Sequence, residues 1–225
     1  MKTQNISWKL LAALTVLVLA ALACAIPGMG NSDGSLYRDD FSSTDSGWGT
    51  GTDADSSVEY ASEGLQFLVI TPNYYTWSNP GVGEDFENVH IEVAVRNSST
   101  DPDATFGIVC DQQVTGDSHY YLAITQSGYY AIVKAAIAQD DVILTNNGEW
   151  TASDLIPSNG STYQLGADCG NGTLTLYVNG QQIASVSDST YTTGEVGLLA
   201  WSGEDTSGTN VVFDDFVVTS LTTGE

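Results

Sequence analysis

From residue 36 to residue 221 the chain is written in short runs. Apolar residues alternate with polar ones, or β-branched residues crowd together, and Gly, Asn, Asp and Ser separate the runs. A period of two marks a strand with one buried face. Strands are predicted over 36–41, 57–61, 65–70, 87–96, 105–111, 119–124, 129–135, 142–144, 162–169, 173–178, 182–186, 194–201 and 210–219. Close turn signals and no sustained helical period in this region predict an all-β fold, two antiparallel sheets packed as a sandwich. Asn179-Gly180 sits between two of the runs and predicts a type I′ hairpin, because both central residues of that turn need positive φ. Ser127-Gly128 and Ser62-Glu63-Gly64 supply similar turns.

The first residues follow another pattern. Residues 1–10 carry Lys2 and Lys9, and residues 10–23 are apolar apart from Thr15. As a helix that run spans roughly 21 Å, short of the roughly 30 Å hydrocarbon core, so it predicts a signal peptide over 1–23 and not a membrane span. Ala21-Leu22-Ala23-Cys24 resembles a bacterial lipobox, with Ala21 where that motif usually has Leu. The resemblance implies that Cys24 is lipidated, becomes the mature N-terminus and anchors an exported protein to the cell envelope, facing outside the cytoplasm. Residues 24–35 read as the lipidated Cys and a Gly/Pro/Ser-rich tether, 36–221 as one domain and 222–225 as a tail.

Composition supports a folded domain and narrows its partners. Hydrophobic residues make up 42% of the chain and aromatic residues 10%, enough for a core. Five Lys and Arg against 28 Asp and Glu give a formal net charge of −23. Such a surface repels phosphate backbones and excludes nucleic acid as a partner. After loss of the signal segment, Arg38, Arg96 and Lys134 are the remaining basic side chains.

Three cysteines leave one unpaired. Cys110 is in phase with Phe106 and Ile108, and Cys169 with Leu165 and Ala167, so both are expected on core faces. Export permits oxidation, and a Cys110–Cys169 disulfide is the expectation, with two buried free thiols as the alternative.

The segments Phe106-Gly107-Ile108-Val109-Cys110, His119-Tyr120-Tyr121, Gly128-Tyr129-Tyr130-Ala131-Ile132-Val133-Lys134, Leu174-Thr175-Leu176-Tyr177-Val178-Asn179-Gly180, Gly194-Glu195-Val196-Gly197-Leu198 and Val212-Phe213-Asp214-Asp215-Phe216-Val217-Val218 together resemble the concanavalin A-like, laminin-G-like jelly-roll superfamily. The resemblance covers about 36–220 and includes Tyr37-Arg38-Asp39-Asp40-Phe41 with Ser46-Gly47-Trp48 as the opening strand. It implies a jelly-roll sandwich and leaves three functions open: carbohydrate binding, glycoside hydrolysis, or a structural or adhesive surface role with a protein partner. The closely alternating acids common in glycosidases of this superfamily are missing, since 90–96 carries Glu92 alone.

Strand phase nominates a surface. Val89, Ile91, Val93 and Val95 share a core phase, which puts His90, Glu92 and Arg96 on the other face. His119 and Tyr121 oppose Tyr120, Leu122 and Ile124, and Tyr130 and Lys134 oppose Tyr129, Ala131 and Val133. These seven residues are expected on one glycan-binding face, Tyr rings stacking on pyranoses and polar groups bonding hydroxyls. The hydrolase alternative pairs Glu92 with Asp111. Tyr74-Tyr75-Thr76-Trp77 reads as a loop, folded over the end of the core or offered as an aromatic platform. No cofactor is expected. A structural calcium among the loop acids, including Asp214 and Asp215, is the minor alternative.

Overall fold

The computed structural model describes residues 34–113, 118–136 and 138–221. The signal segment, Cys24, nearly all of the tether and the 222–225 tail lie outside the described residues. No helix among the described residues is long and apolar enough to cross a membrane.

Two antiparallel sheets form the domain. The nine-stranded sheet runs in the order β14 (Gln181–Ser187), β13 (Thr173–Val178), β12 (Thr162–Gly170), β6 (Val89–Asn97), β16 (Thr209–Ser220), β4 (Leu65–Val69), β3 (Ser56–Tyr60) and β2 (Gly51–Thr52). Its ninth strand, β1 (Ser35–Asp39), also pairs with β16. The seven-stranded sheet runs β10 (Val142–Ile143), β9 (Tyr129–Ala135), β8 (His119–Thr125), β7 (Thr105–Gln112), β15 (Glu195–Trp201) and β5 (Tyr75–Ser78), with β11 (Thr151–Ala152) also on β9. All thirteen expected runs are strands. Short β2 and β11 were not expected, and 75–78, read as loop, is an edge strand.

Between the sheets lies a dry core in which Phe67, Phe106, Tyr120, Phe213 and Phe216 are fully buried. On β6 the alternation works as read: Val89, Ile91, Val93 and Val95 point inward, and His90, Glu92 and Arg96 reach the outside. Residues 209–213 of β16 pair with β4 and residues 216–219 with β1, and a bulge at Asp214–Val217, with Asp215 at φ 50°, marks the changeover. Trp48 closes this end of the sandwich, packing edge-on against Phe41 and Phe216 while its Nε1 donates to Asp39 Oδ2 at 2.8 Å.

Cys110 on β7 and Cys169 on β12 are bonded at 2.02 Å, with their Cα atoms 6.5 Å apart. The bridge therefore ties one sheet to the other through the core. The Asn179-Gly180 hairpin is present, with φ of 52° and 75°.

The expected phase of β9 is inverted. Tyr130, Ile132 and Lys134 lie opposite Ile124, Leu122 and Tyr120, residues of the central core, so they face inward. Ala131 and Val133 belong instead to a second apolar cluster with Val109, Tyr121, Ala123, Ala135 and Leu199 on the outside of the seven-stranded sheet. Both faces of this sheet are apolar, and the alternation alone could not tell which one met the core.

Candidate functional site

The seven nominated residues do not share a surface. His90, Glu92 and Arg96 are on the nine-stranded sheet; His119, Tyr121, Tyr130 and Lys134 are on the other. Glu92 and Asp111 are likewise on different sheets with the core between, and they form no catalytic carboxylate pair.

Local contacts explain most of them. Arg96 binds Asp214 Oδ2 at 3.1 Å and donates to the Ser62 and Glu63 carbonyls at 2.5 and 2.8 Å, fastening the turn between β3 and β4. That pairing occupies Asp214, one of the acids considered for calcium, and the Asp215 backbone folds onto the same carboxylate. Among the described residues no group of three or more His, Cys, Asp and Glu is placed to hold a metal ion. Lys134 Nζ reaches Asp188 Oδ2 at 2.8 Å and Thr190 Oγ1 at 3.0 Å, while Tyr120 donates to the other oxygen of Asp188. Burial alone would raise the Asp188 pKa, but Lys134, Thr190 and Tyr120 together hold it well below the usual carboxylate range. Tyr130 packs on the core and approaches Asn146.

On the nine-stranded sheet, His90 Nδ1 meets Asp168 Oδ1 at 2.6 Å and Nε2 meets Glu92 Oε1 at 3.4 Å. Tyr177 donates to Asp168 Oδ2 at 2.7 Å. The Asp168 hydrogen bond, opposed by burial and reinforced by Glu92, raises the His90 pKa.

His119 and Tyr121 lead to a different feature, the outer face of the seven-stranded sheet. Strand register lays its side chains out in rows. Trp77, Leu199, Gly107, Ala123 and Ala131 follow one another across five strands, and Tyr75, Trp201, Thr105 and Thr125 form the next row. The middle of the first row is small by necessity: a Cβ on Gly107 would lie 2.4 Å from the Leu122 carbonyl and 2.7 Å from Ala123 Cβ. Small residues along the middle and large aromatics to either side shape a groove.

Two cavities of about 400 and 360 Å³ lie along this face and share Trp201 as a wall. The first is lined by Tyr129, Trp150 and Trp201 together with Asp103, Glu204 and Asp205. The second is lined by Tyr75, His119, Tyr121, Leu199, Trp201 and Asp141. Tyr75 and Trp77 stack at 5.4 Å with planes 20° apart, yet remain 49% and 40% exposed, an aromatic platform beside the groove. Tyr121 donates to Asp141 Oδ2 at 2.9 Å, and burial, with Asp141 and Tyr75, raises its pKa far enough to keep it a phenol. None of the described lining residues is Lys or Arg.

The sequence reading reached two members of this face, His119 and Tyr121. It missed Trp201, Trp150 and Tyr129, and left Tyr75 and Trp77 in a loop. The available signal was the alternation of Leu199 and Trp201 against Leu198 and Ala200 on β15.

The fold is the concanavalin A-like jelly roll. The carbohydrate binding module CBM66 from Bacillus subtilis superposes with a TM-score of 0.60 at 15% identity, covering 78% of this chain and 96% of that one. A Bacillus subtilis protein with a galectin-like fold matches with a TM-score of 0.59 at 15% identity, over 85% and 98% of the two chains. The β-glucanase of Bacillus licheniformis matches with a TM-score of 0.55 at 14% identity, over 84% and 100%. No family model matches the sequence and no curated protein does so.

Proposed function

We propose that this protein is a carbohydrate-binding module that holds a glycan chain on the outer face of its seven-stranded sheet. The carrying observation is the groove itself, with two cavities joined at Trp201 and flanked by the Tyr75–Trp77 stack. Flat aromatic side chains match the apolar faces of pyranose rings, and carboxylates and hydroxyls at the rim match sugar hydroxyls. Fold likeness to a carbohydrate-binding module and to glucanases supports the same reading.

Binding without hydrolysis is favoured over catalysis. Glycoside hydrolysis requires two carboxyl groups about 5–9 Å apart across the scissile bond. Thr105, Gly107 and Val109 of β7, before the register shift that precedes Gln112, and His119, Tyr121, Ala123 and Thr125 of β8 carry no carboxylate. The groove's acids Asp103, Asp141, Glu204 and Asp205 lie outside its strands. We further infer an exported, envelope-anchored protein lipidated at Cys24, on the strength of the sequence at 1–24.

Calorimetric titration against a panel of neutral, acidic and amino-sugar polysaccharides tests the reading. Saturable binding is expected at millimolar to micromolar Kd, roughly −4 to −8 kcal/mol. Trp201→Ala should weaken it by about 1–3 kcal/mol with an unchanged far-UV spectrum. No saturable binding across the panel overturns the reading, and release of reducing sugar overturns its non-catalytic part.

A further inference from the structure

We propose that the cavity between Tyr129, Trp150 and Trp201 is a cation subsite, and that the groove selects chains bearing free amino sugars, such as de-N-acetylated glucosamine. The inference rests on the carbohydrate-binding reading above and specifies its ligand class.

Two features of one cavity converge on a positive group. Three of its walls are aromatic, and the ring faces of Trp and Tyr attract an ammonium through their quadrupole. Its remaining lining includes the acidic residues Asp103, Glu204 and Asp205. The basic side chains of the described region are elsewhere: Arg38 and Arg96 are on the other sheet, and Lys134 is bound to Asp188 on the inward face of β9. No Lys or Arg of the described residues is therefore placed to neutralise these acids, and an incoming ammonium would serve as their counter-ion. A uronate or sulfated chain would meet repulsion at the same place.

The acids are borne on loops that the fold holds in register. Asp101, 1% exposed, accepts from the Asp103 amide at 2.9 Å and from Thr206 Oγ1 at 2.5 Å through one oxygen. Its other oxygen accepts from the Gly203 amide at 2.7 Å. One buried carboxylate thus ties the loop carrying Asp103 to the loop carrying Glu204 and Asp205. Ser202 adds a second tie, donating to the Thr71 carbonyl at 2.5 Å beside the aromatic edge strand. The two loops that carry the acids are thus tied to each other beside the aromatic walls. The second cavity, past Trp201, gives the chain a neighbouring sugar position and fits an internal stretch of polysaccharide.

The test compares a β-1,4-glucosamine hexamer with its fully N-acetylated counterpart, titrated into the full-length processed protein. The free-amine chain should bind about tenfold more tightly and lose most of that margin in high salt. The double variant Glu204→Gln, Asp205→Asn should remove most of the preference for the free-amine chain. Trp150→Ala separates the site from general attraction of a polycation to an acidic protein, because it removes a wall of the cage and no charge. It should erase the preference. Equal affinity for the two hexamers in the unaltered protein overturns the inference, as does a preference that survives Trp150→Ala. If neither hexamer binds but a neutral glycan of the panel does, the cation subsite is wrong and the carbohydrate-binding reading stands. If nothing in the panel binds, both fall.

Discussion

Asp111 is a residue at which burial and ionisation oppose each other. It is 4% exposed near the end of β7, and burial, with help from the Glu87 carboxylate, pushes its pKa up to about 6. An acid whose pKa is higher in the folded state holds its proton more firmly there. Its contribution therefore turns unfavourable as pH rises from about 4 through about 6. Asp111→Asn should raise stability at pH 7 to 8 by about 2 kcal/mol, the gain fading to nothing near about pH 3. Asn also accepts the φ of 51° found at this position. Urea melts at both pH values check this, and an equal change at both would assign the effect to packing. His90 has linkage of the same sign over a higher pH window. Its raised pKa gives stability that is full below the ordinary histidine value and is lost as pH climbs through the folded one. Asp168→Asn should flatten that loss above the ordinary histidine pKa, read from urea melts taken across that range.

At the scale of elements, β6 and β9 show what alternation can and cannot reveal. On β6 the inward positions are Val and Ile and the outward ones His, Glu, Ala and Arg, so polarity alone orients the strand. On β9 Ala131 and Val133 are as buried as Ile132, because Leu199, Ile143 and Trp150 help cover the outer face. With both faces apolar, the period survives and its sign is lost. The aromatic groove on the outer face was obscured for the same reason. Its aromatics are spread over β5, β9, β15 and the approach to β11, and only strand order brings them together. Cys110 and Cys169 were legible because each sits in an unambiguous apolar phase. Their bridge joins the sheets across a sequence separation of 59, and removing it should cost about 4 kcal/mol in the chain-entropy model. The expected result for Cys110→Ala with Cys169→Ala is a lower urea midpoint at an unchanged strand signature by circular dichroism. An unchanged midpoint would mean that the core alone sets the stability.

For the whole molecule, the acidic surface and the N-terminal lipobox resemblance lead to an expectation about location. Wild-type protein should partition into detergent, and Cys24→Ser should remain unprocessed or become soluble, as judged by phase separation and intact mass. The distribution of indole rings has an optical consequence. Of the five tryptophans, Trp8 lies in the segment assigned to the signal peptide, and Trp48 is sealed in the core against Asp39. Trp77, Trp150 and Trp201 all belong to the outer face of the seven-stranded sheet or its rim. Emission from the domain should therefore combine a blue component from one shielded ring with a redder component from the groove. A sugar covering the groove should shift and brighten the red component, whereas the blue one stays fixed until the domain unfolds. The protein carries its own fluorophores for the titrations proposed above, and acrylamide quenching with and without ligand would show which rings the chain covers.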